Sequence, residues 1–218
     1  MSGYETARAR MIERQLLYRG IRDPRVLDAM LRVPRHEFVV PDLADYAYDD
    51  RPLPIEDGQT ISQPYIVALM VEAAQLDGDT TALEVGTGSG YAAAVMAELA
   101  GRVVTIERHA GLAESARERL ARLGYDSVEV VTGDGTLGWQ EAAPYQAIIA
   151  AASGPRVPEA WLDQLAVGGR IVTPLGAPRG AQRLVVVRRV SEDELREENL
   201  GGVSFVPLLG EQGWPASD

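Results

Sequence analysis

The stretch LEVGTGSGY at 83–91 constrains the fold more than any other part of this chain. It follows a short apolar strand, TALEV at 81–85, and opens a helical pattern over 91–100. Glycines at 86, 88 and 90 let a strand turn sharply into a helix and let a ligand approach the main chain closely. The pattern then alternates through strand RVVTIE (102–107), a helix over 109–123, strand SVEVVTG (127–133) and strand YQAIIAAA (145–152). A short helix near 158–165, a turn and strand VGGRIVTPL (167–175) and strand RLVVVRRV (183–190) follow, and GGVSFVPL (201–208) closes the chain. This alternation predicts right-handed βαβ units and an α/β, doubly wound, mostly parallel sheet. The last two strands have no helical segment between them, so an antiparallel edge is expected, with the acidic run at 191–194 as a solvated turn.

Upstream, residues 5–19 have helical character, and Asp23-Pro24 places an N-cap and a first-turn proline at the start of a second helix. From Pro34 to Pro64 the chain is rich in Pro, Asp and Tyr with no clear period, and it becomes helical from Pro64 to about Gln75. The expected organisation is an N-terminal helical and irregular appendage, 1–63, on a Rossmann-like core, 64–218, forming one compact unit.

Composition narrows the function. There are no cysteines, and all 21 basic residues are arginine, so thiolate metal sites, a phosphate-loop lysine and a Schiff base are excluded. The net charge of −11 argues against nucleic-acid binding. No apolar run approaches the roughly 20 residues that span a bilayer, and the N-terminus has no apolar signal core, so a cytoplasmic protein is expected. His36 and His109, the two histidines, make no metal constellation; Trp139, Trp161 and Trp214 read as packing residues.

The glycine loop lies among acids. Glu84 precedes it, where a pyrophosphate would be repelled and a cationic ligand would not. Tyr91 stands where a dinucleotide fingerprint wants its third Gly or Ala. Glu107 ends the next strand, where a carboxylate can accept both hydrogen bonds of a ribose diol. Gly133-Asp134-Gly135 places another acid on the same rim, suited to an adenine amine. A ribose, an adenine amine and a cationic head without phosphate describe S-adenosylmethionine. Thr87, Ser89 and Gly90 in the loop and Arg108 after Glu107 complete the expected cofactor-lining set. Ser89 is not a nucleophile elbow, because that motif would need serine where Gly88 stands.

Nearly the whole chain resembles the protein-L-isoaspartate O-methyltransferase family. The resemblance rests on VPRHEFV (33–39), AYDDRPLPI (47–55), GQTISQPYIVALM (58–70), ALEVGTGSGYAAAV (82–95), VVTIER (103–108), GDGTLGW (133–139), PYQAIIAAA (144–152), QLAVGGRIVTPLG (164–176) and FVPLLG (205–210). The TISQP and VPRxxF stretches are the most specific of these. The resemblance implies methylation of the α-carboxylate of isoaspartyl residues in damaged proteins, with S-adenosyl-L-methionine as donor and S-adenosyl-L-homocysteine as product. The ester then closes to a succinimide whose hydrolysis partly restores aspartate.

The family's active-site serine falls on Ser62 and its cofactor residues on Ile61, Ser62, Glu84, Gly86, Gly88, Glu107, Asp134 and Gly135. Val33-Pro34, Ala47-Tyr48 and Val206-Pro207 resemble segments that bracket the substrate backbone, and Thr60, Ser62 and Gln63 would form a donor-rich lid. A plain N-cap cluster for the Pro64 helix is the other reading of that lid. A carboxylate is already ionised at neutral pH, so the reaction needs orientation by a neutral hydroxyl such as that of Ser62 and no general base.

Gln146, Ala92 and Ser153-Gly154-Pro155 depart from the family's usual residues around the expected cofactor shelf. Two other functions stay open: an aspartyl methyltransferase acting on a dedicated biosynthetic peptide, and a degenerate cofactor-binding protein without activity. A monomer with an open face is expected, because the substrates would be whole proteins.

Overall fold

The computed structural model describes residues 3–215. The chain opens with α1 (Gly3–Met11), which continues into a wider π-helical turn at Ile12–Leu17. Helix α2 (Pro24–Arg32) starts as its sequence demands: Asp23 accepts the Arg25 amide at 2.9 Å, and Pro24 needs no donor there. Two 3₁₀ turns, Arg35–Phe38 and Pro41–Tyr46, then lead to a small antiparallel hairpin of β1 (Leu53–Pro54) and β2 (Thr60–Ile61). Helix α3 (Pro64–Ala74) stops at Gln75, which is left-handed.

The core comprises β3 (Thr81–Val85), α4 (Tyr91–Ala97), β4 (Arg102–Glu107), α5 (Ala110–Arg122), β5 (Val128–Thr132), β6 (Tyr145–Ala150), α6 (Glu159–Gln164), β7 (Leu165–Gly176), β8 (Gln182–Arg189) and β9 (Leu195–Val203). The seven-stranded sheet runs β5-β4-β3-β6-β7-β8-β9, parallel from β5 to β7 and antiparallel through β8 and β9. The antiparallel edge forms, but its last strand starts at Leu195, not at residue 201. Residues 191–194 are an exposed turn, and the chain past Val203 leaves β9 to pair with Ser153 through Pro207.

Strand periodicity sorts the side chains onto two faces. Ala82, Val103, Ala147, Val172, Leu184 and Val186 face one core, where α2, α3, α4 and α5 pack. Leu83, Val85, Val104, Ile106, Ile148, Val185 and Val187 face the other, closed by Trp161 of α6 and Tyr145. The split follows from handedness. The order steps one way from β3 to β5 and the other way from β6 to β7, so right-handed crossovers place α4 and α5 on one face and α6 on the other. The buried residues Met11, Leu16, Val33, Phe38, Ala47 and Ile61 join the first core, so the N-terminal segment packs into the same apolar cluster as the sheet.

Candidate active site

The strand order reverses between β3 and β6, and the loops leaving these strands part there, making the crevice where open α/β sheets bind ligands. The loop after β3 is fixed from two sides. The Gly86 amide donates to the Ile106 carbonyl at 2.8 Å, and the Ala151 amide donates to the Val85 carbonyl at 2.8 Å. Gly86, Gly88 and Gly90 have φ of +94°, +51° and +87°, a region that side chains rarely adopt. Ile55 of the hairpin loop lies over Gly88, where an added Cβ would be 3.4 Å from its Cδ1.

Three cavities meet at this crevice. The first has apolar walls from Val85, Ile106, Leu208 and Leu209, with Glu107, Arg108, His109 and Gly135 around it. The second, beneath the hairpin, is lined by Ile61, Ser62, Glu84, Thr87, Ser89 and Ala92. The third is an open groove past Ser62, Gln63, Gln182 and Phe205 that shares Thr60, Ala151, Val206 and Pro207 with the first. Gly90 lines none of these. It begins α4 and packs against Leu120, 3.3 Å from where its Cβ would stand.

The acids differ in environment. Glu107 is buried and accepts the Gly88 amide at 2.9 Å with one oxygen and the His109 amide at 3.0 Å with the other. Each oxygen retains a lone pair for a ligand. Glu84 is fully enclosed and accepts from Thr105, whose hydroxyl also meets that of Thr87 at 2.6 Å. Burial pushes the Glu84 carboxyl up to about 8, with Thr105 opposing the shift and the negative charge of Glu107 adding to it.

Asp134 lines none of the three cavities. Its carboxylate accepts the Thr136 amide and hydroxyl at 2.9 and 2.7 Å and the Glu211 amide at 2.8 Å. Burial opposes its ionisation, but the bonds from Glu211 and Thr136 outweigh that and hold its carboxyl below the usual range. In this geometry Asp134 ties down the segment carrying Leu208 and Leu209, and its neighbour Gly135 lines the cavity.

Ser62 lies at the mouth of the second cavity and in the open groove. Its carbonyl accepts from Arg35 at 2.8 Å, while its hydroxyl has no partner among the described residues. The N-cap of α3 is Gln63, whose side chain makes no cap bond and donates instead to the Asp50 carbonyl at 2.9 Å. The hydroxyls of Thr60 and Ser62 are therefore not spent on the helix end.

The substrate-bracketing set divides. Thr60, Val206 and Pro207 line the groove. Val33 and Ala47 have no exposed surface, Tyr48 is buried with its hydroxyl 2.8 Å from His36 Nδ1, and none of these nor half-buried Pro34 lines a described cavity. Val33, Ala47 and Tyr48 pack instead into the apolar cluster of the first core. The sequence reading also missed His109, Leu208 and Leu209, which line the first cavity. His109 carries a signal, since it stands two residues past Glu107 at the N-cap of α5.

The profile of the protein-L-isoaspartate(D-aspartate) O-methyltransferase family matches residues 6–213. The chain belongs to this family. A protein-L-isoaspartate O-methyltransferase of Rhodopseudomonas palustris is 56% identical over 204 residues, covering 94% of each chain. One from Brucella anthropi is 51% identical over 215 residues, covering 99% of each. A solved protein-L-isoaspartate O-methyltransferase superposes with a TM-score of 0.84 at 31% identity, covering 94% of this chain and 67% of its own. A Plasmodium falciparum structure solved with S-adenosyl-L-homocysteine has a TM-score of 0.78 at 24% identity, covering 94% of this chain and 98% of its own, and shows the shared fold. The family uses S-adenosylmethionine, and its members are carboxyl O-methyltransferases.

The family's departures fall in different places. Gln146 is at the opposite end of β6 from the crevice and accepts the Thr81 amide at 2.8 Å, so its placement on a cofactor shelf is corrected. Ala92 does line the second cavity. Ser153 and Gly154 join Pro207 and Leu175 by backbone bridges and so hold the outgoing chain in place.

Proposed function

We propose that this chain transfers the methyl group of S-adenosylmethionine to the free α-carboxylate of isoaspartyl residues in damaged proteins, with Ser62 orienting that carboxylate. The observation that carries the reading is the Ser62 hydroxyl, without a partner among the described residues, at the junction between the cavity beside the glycine loop and the groove open to solvent.

The residues fit the cofactor. Glu107 offers an acceptor on each oxygen for a ribose diol, Val85, Ile106 and Leu208 offer an apolar slot for adenine, and Glu84 offers a carboxyl to a cationic head. When bound, the cofactor supplies an electrophilic methyl on a sulfonium. The side-chain-free backbone of Gly86 and Gly88 lines the cavities, and Ser62 holds one carboxylate oxygen by a neutral hydrogen bond while the other is left free to attack. A neutral donor orients the anion without quenching its nucleophilicity as a salt bridge would. Positioning of this kind lowers barriers by up to about 7–11 kcal/mol.

The open groove supports a substrate that is a segment of a larger protein. The chain acts, in this reading, as a cytoplasmic monomer without a nucleic-acid partner; its net charge of −11 supports the last point. Among the described residues no helix is long and apolar enough to cross a membrane. The test is labelled methyl transfer to an isoaspartyl peptide and to its aspartyl twin. Label is expected in the first alone; equal labelling would point to an aspartyl-directed methyltransferase.

A further inference from the structure

Arg35 belongs to the VPRHEF stretch and is among the largest fully buried side chains of the protein. Among the described residues no carboxylate lies within 4.0 Å of its guanidinium, so this is a buried cation without a salt bridge. Such a group is tolerated only where its N–H donors are used well. Nε donates to the Ala47 carbonyl at 2.7 Å, and Nη2 donates to the Ser62 carbonyl at 2.8 Å. The guanidinium carbon lies 4.6 Å from the centre of the Tyr91 ring, a cation–π contact in a dry environment. Nη1 is buried and has no hydrogen-bond partner among the described residues.

These contacts join three segments distant in sequence. Ala47 precedes Tyr48 in the first core, Ser62 faces the groove, and Tyr91 is the first residue of α4 after the glycine loop. The guanidinium spans the distance between loop and serine with one rigid plane, which a flexible ammonium does not reproduce.

Resting on the reading of Ser62 above, we propose that Arg35 is a positioning residue. It clamps the Ser62 main chain to the helix that leaves the glycine loop, and so fixes the serine hydroxyl relative to the cofactor methyl group.

The test is a double-mutant cycle of Arg35→Met, Arg35→Lys and Ser62→Ala, with turnover counted per molecule that binds S-adenosylhomocysteine. That count removes loss from misfolded protein. Both Arg35 variants are expected to bind S-adenosylhomocysteine within threefold of the parent and to turn over isoaspartyl peptide at least tenfold more slowly. Arg35→Met added to Ser62→Ala should cost less than twofold more, because Arg35 acts through Ser62. A full multiplicative loss in the double variant overturns the clamp while leaving the Ser62 reading intact. Full activity of Ser62→Ala alone overturns that reading first. If neither Arg35 variant binds S-adenosylhomocysteine, the unaltered protein decides: the Arg35 Nε–H resonance should shift when isoaspartyl peptide joins the S-adenosylhomocysteine complex, and a resonance that stays in place overturns the proposal.

Discussion

Thr105 donates a 2.5 Å hydrogen bond to Glu84, and the carboxyl that receives it has almost no contact with solvent. Burial raises this group from its ordinary 4.5 to about 8. The folded protein therefore keeps a proton that the unfolded chain releases. Its stabilising contribution is fully present below pH 4.5 and is lost as pH rises toward 8. Glu84→Gln should flatten the fall of the melting temperature across that window, as calorimetric scans at several pH values would show. Parallel curves for the two proteins would contradict the assignment.

A cationic ligand group beside Glu84 favours its ionised form, so cofactor binding below pH 8 should release a proton. Titration calorimetry in two buffers of different ionisation enthalpy reads this directly. The release should approach one proton near neutrality and vanish in Glu84→Gln; equal apparent enthalpies in both buffers would rule it out.

Glu107 has two duties in this geometry. It holds the Gly88 amide, and it faces the first cavity with acceptors to spare. Glu107→Ala should lose one or two charge-assisted hydrogen bonds to the ligand, each worth about 1.5–3 kcal/mol. S-adenosylmethionine affinity should fall at least tenfold in a folded protein. Calorimetry giving unchanged affinity would remove Glu107 from the site.

Asp134 should act through the wall it secures. Asp134→Ala frees the Glu211 amide and both Thr136 donors, loosening the segment of Leu208 and Leu209. S-adenosylmethionine and S-adenosylhomocysteine should weaken alike, since both would carry adenine against that wall. Selective weakening of the charged donor would mean that Asp134 senses the sulfonium.

The glycine loop, the acids beside it and the parallel core were legible because each is a local pattern. Strand β9 was not: Leu195 to Asn199 are all exposed, so no apolar alternation marks it, and its strand form comes from pairing with β8. Val33, Ala47 and Tyr48 pack into the core, a placement that their motifs do not announce, because a motif fixes which segments meet and not which face each side chain takes. Arg35 was missed for a related reason. An arginine in sequence reads as surface, and only the packed structure reveals a guanidinium with no surface at all. Gln146 looked like a weakened cofactor site until its strand placed it at the far end of the sheet.

The central claim is that the hydroxyl of Ser62 orients the substrate carboxylate beside the bound cofactor. Single-turnover methyl transfer to an isoaspartyl peptide by Ser62→Ala, saturated with S-adenosylmethionine, tests it most directly. Folding and cofactor affinity should match the parent, while the rate should fall roughly 10²–10³-fold, the scale of losing one oriented donor in a closed site. A Ser62→Ala rate equal to that of the parent would contradict the account and leave the orientation of the carboxylate to backbone amides.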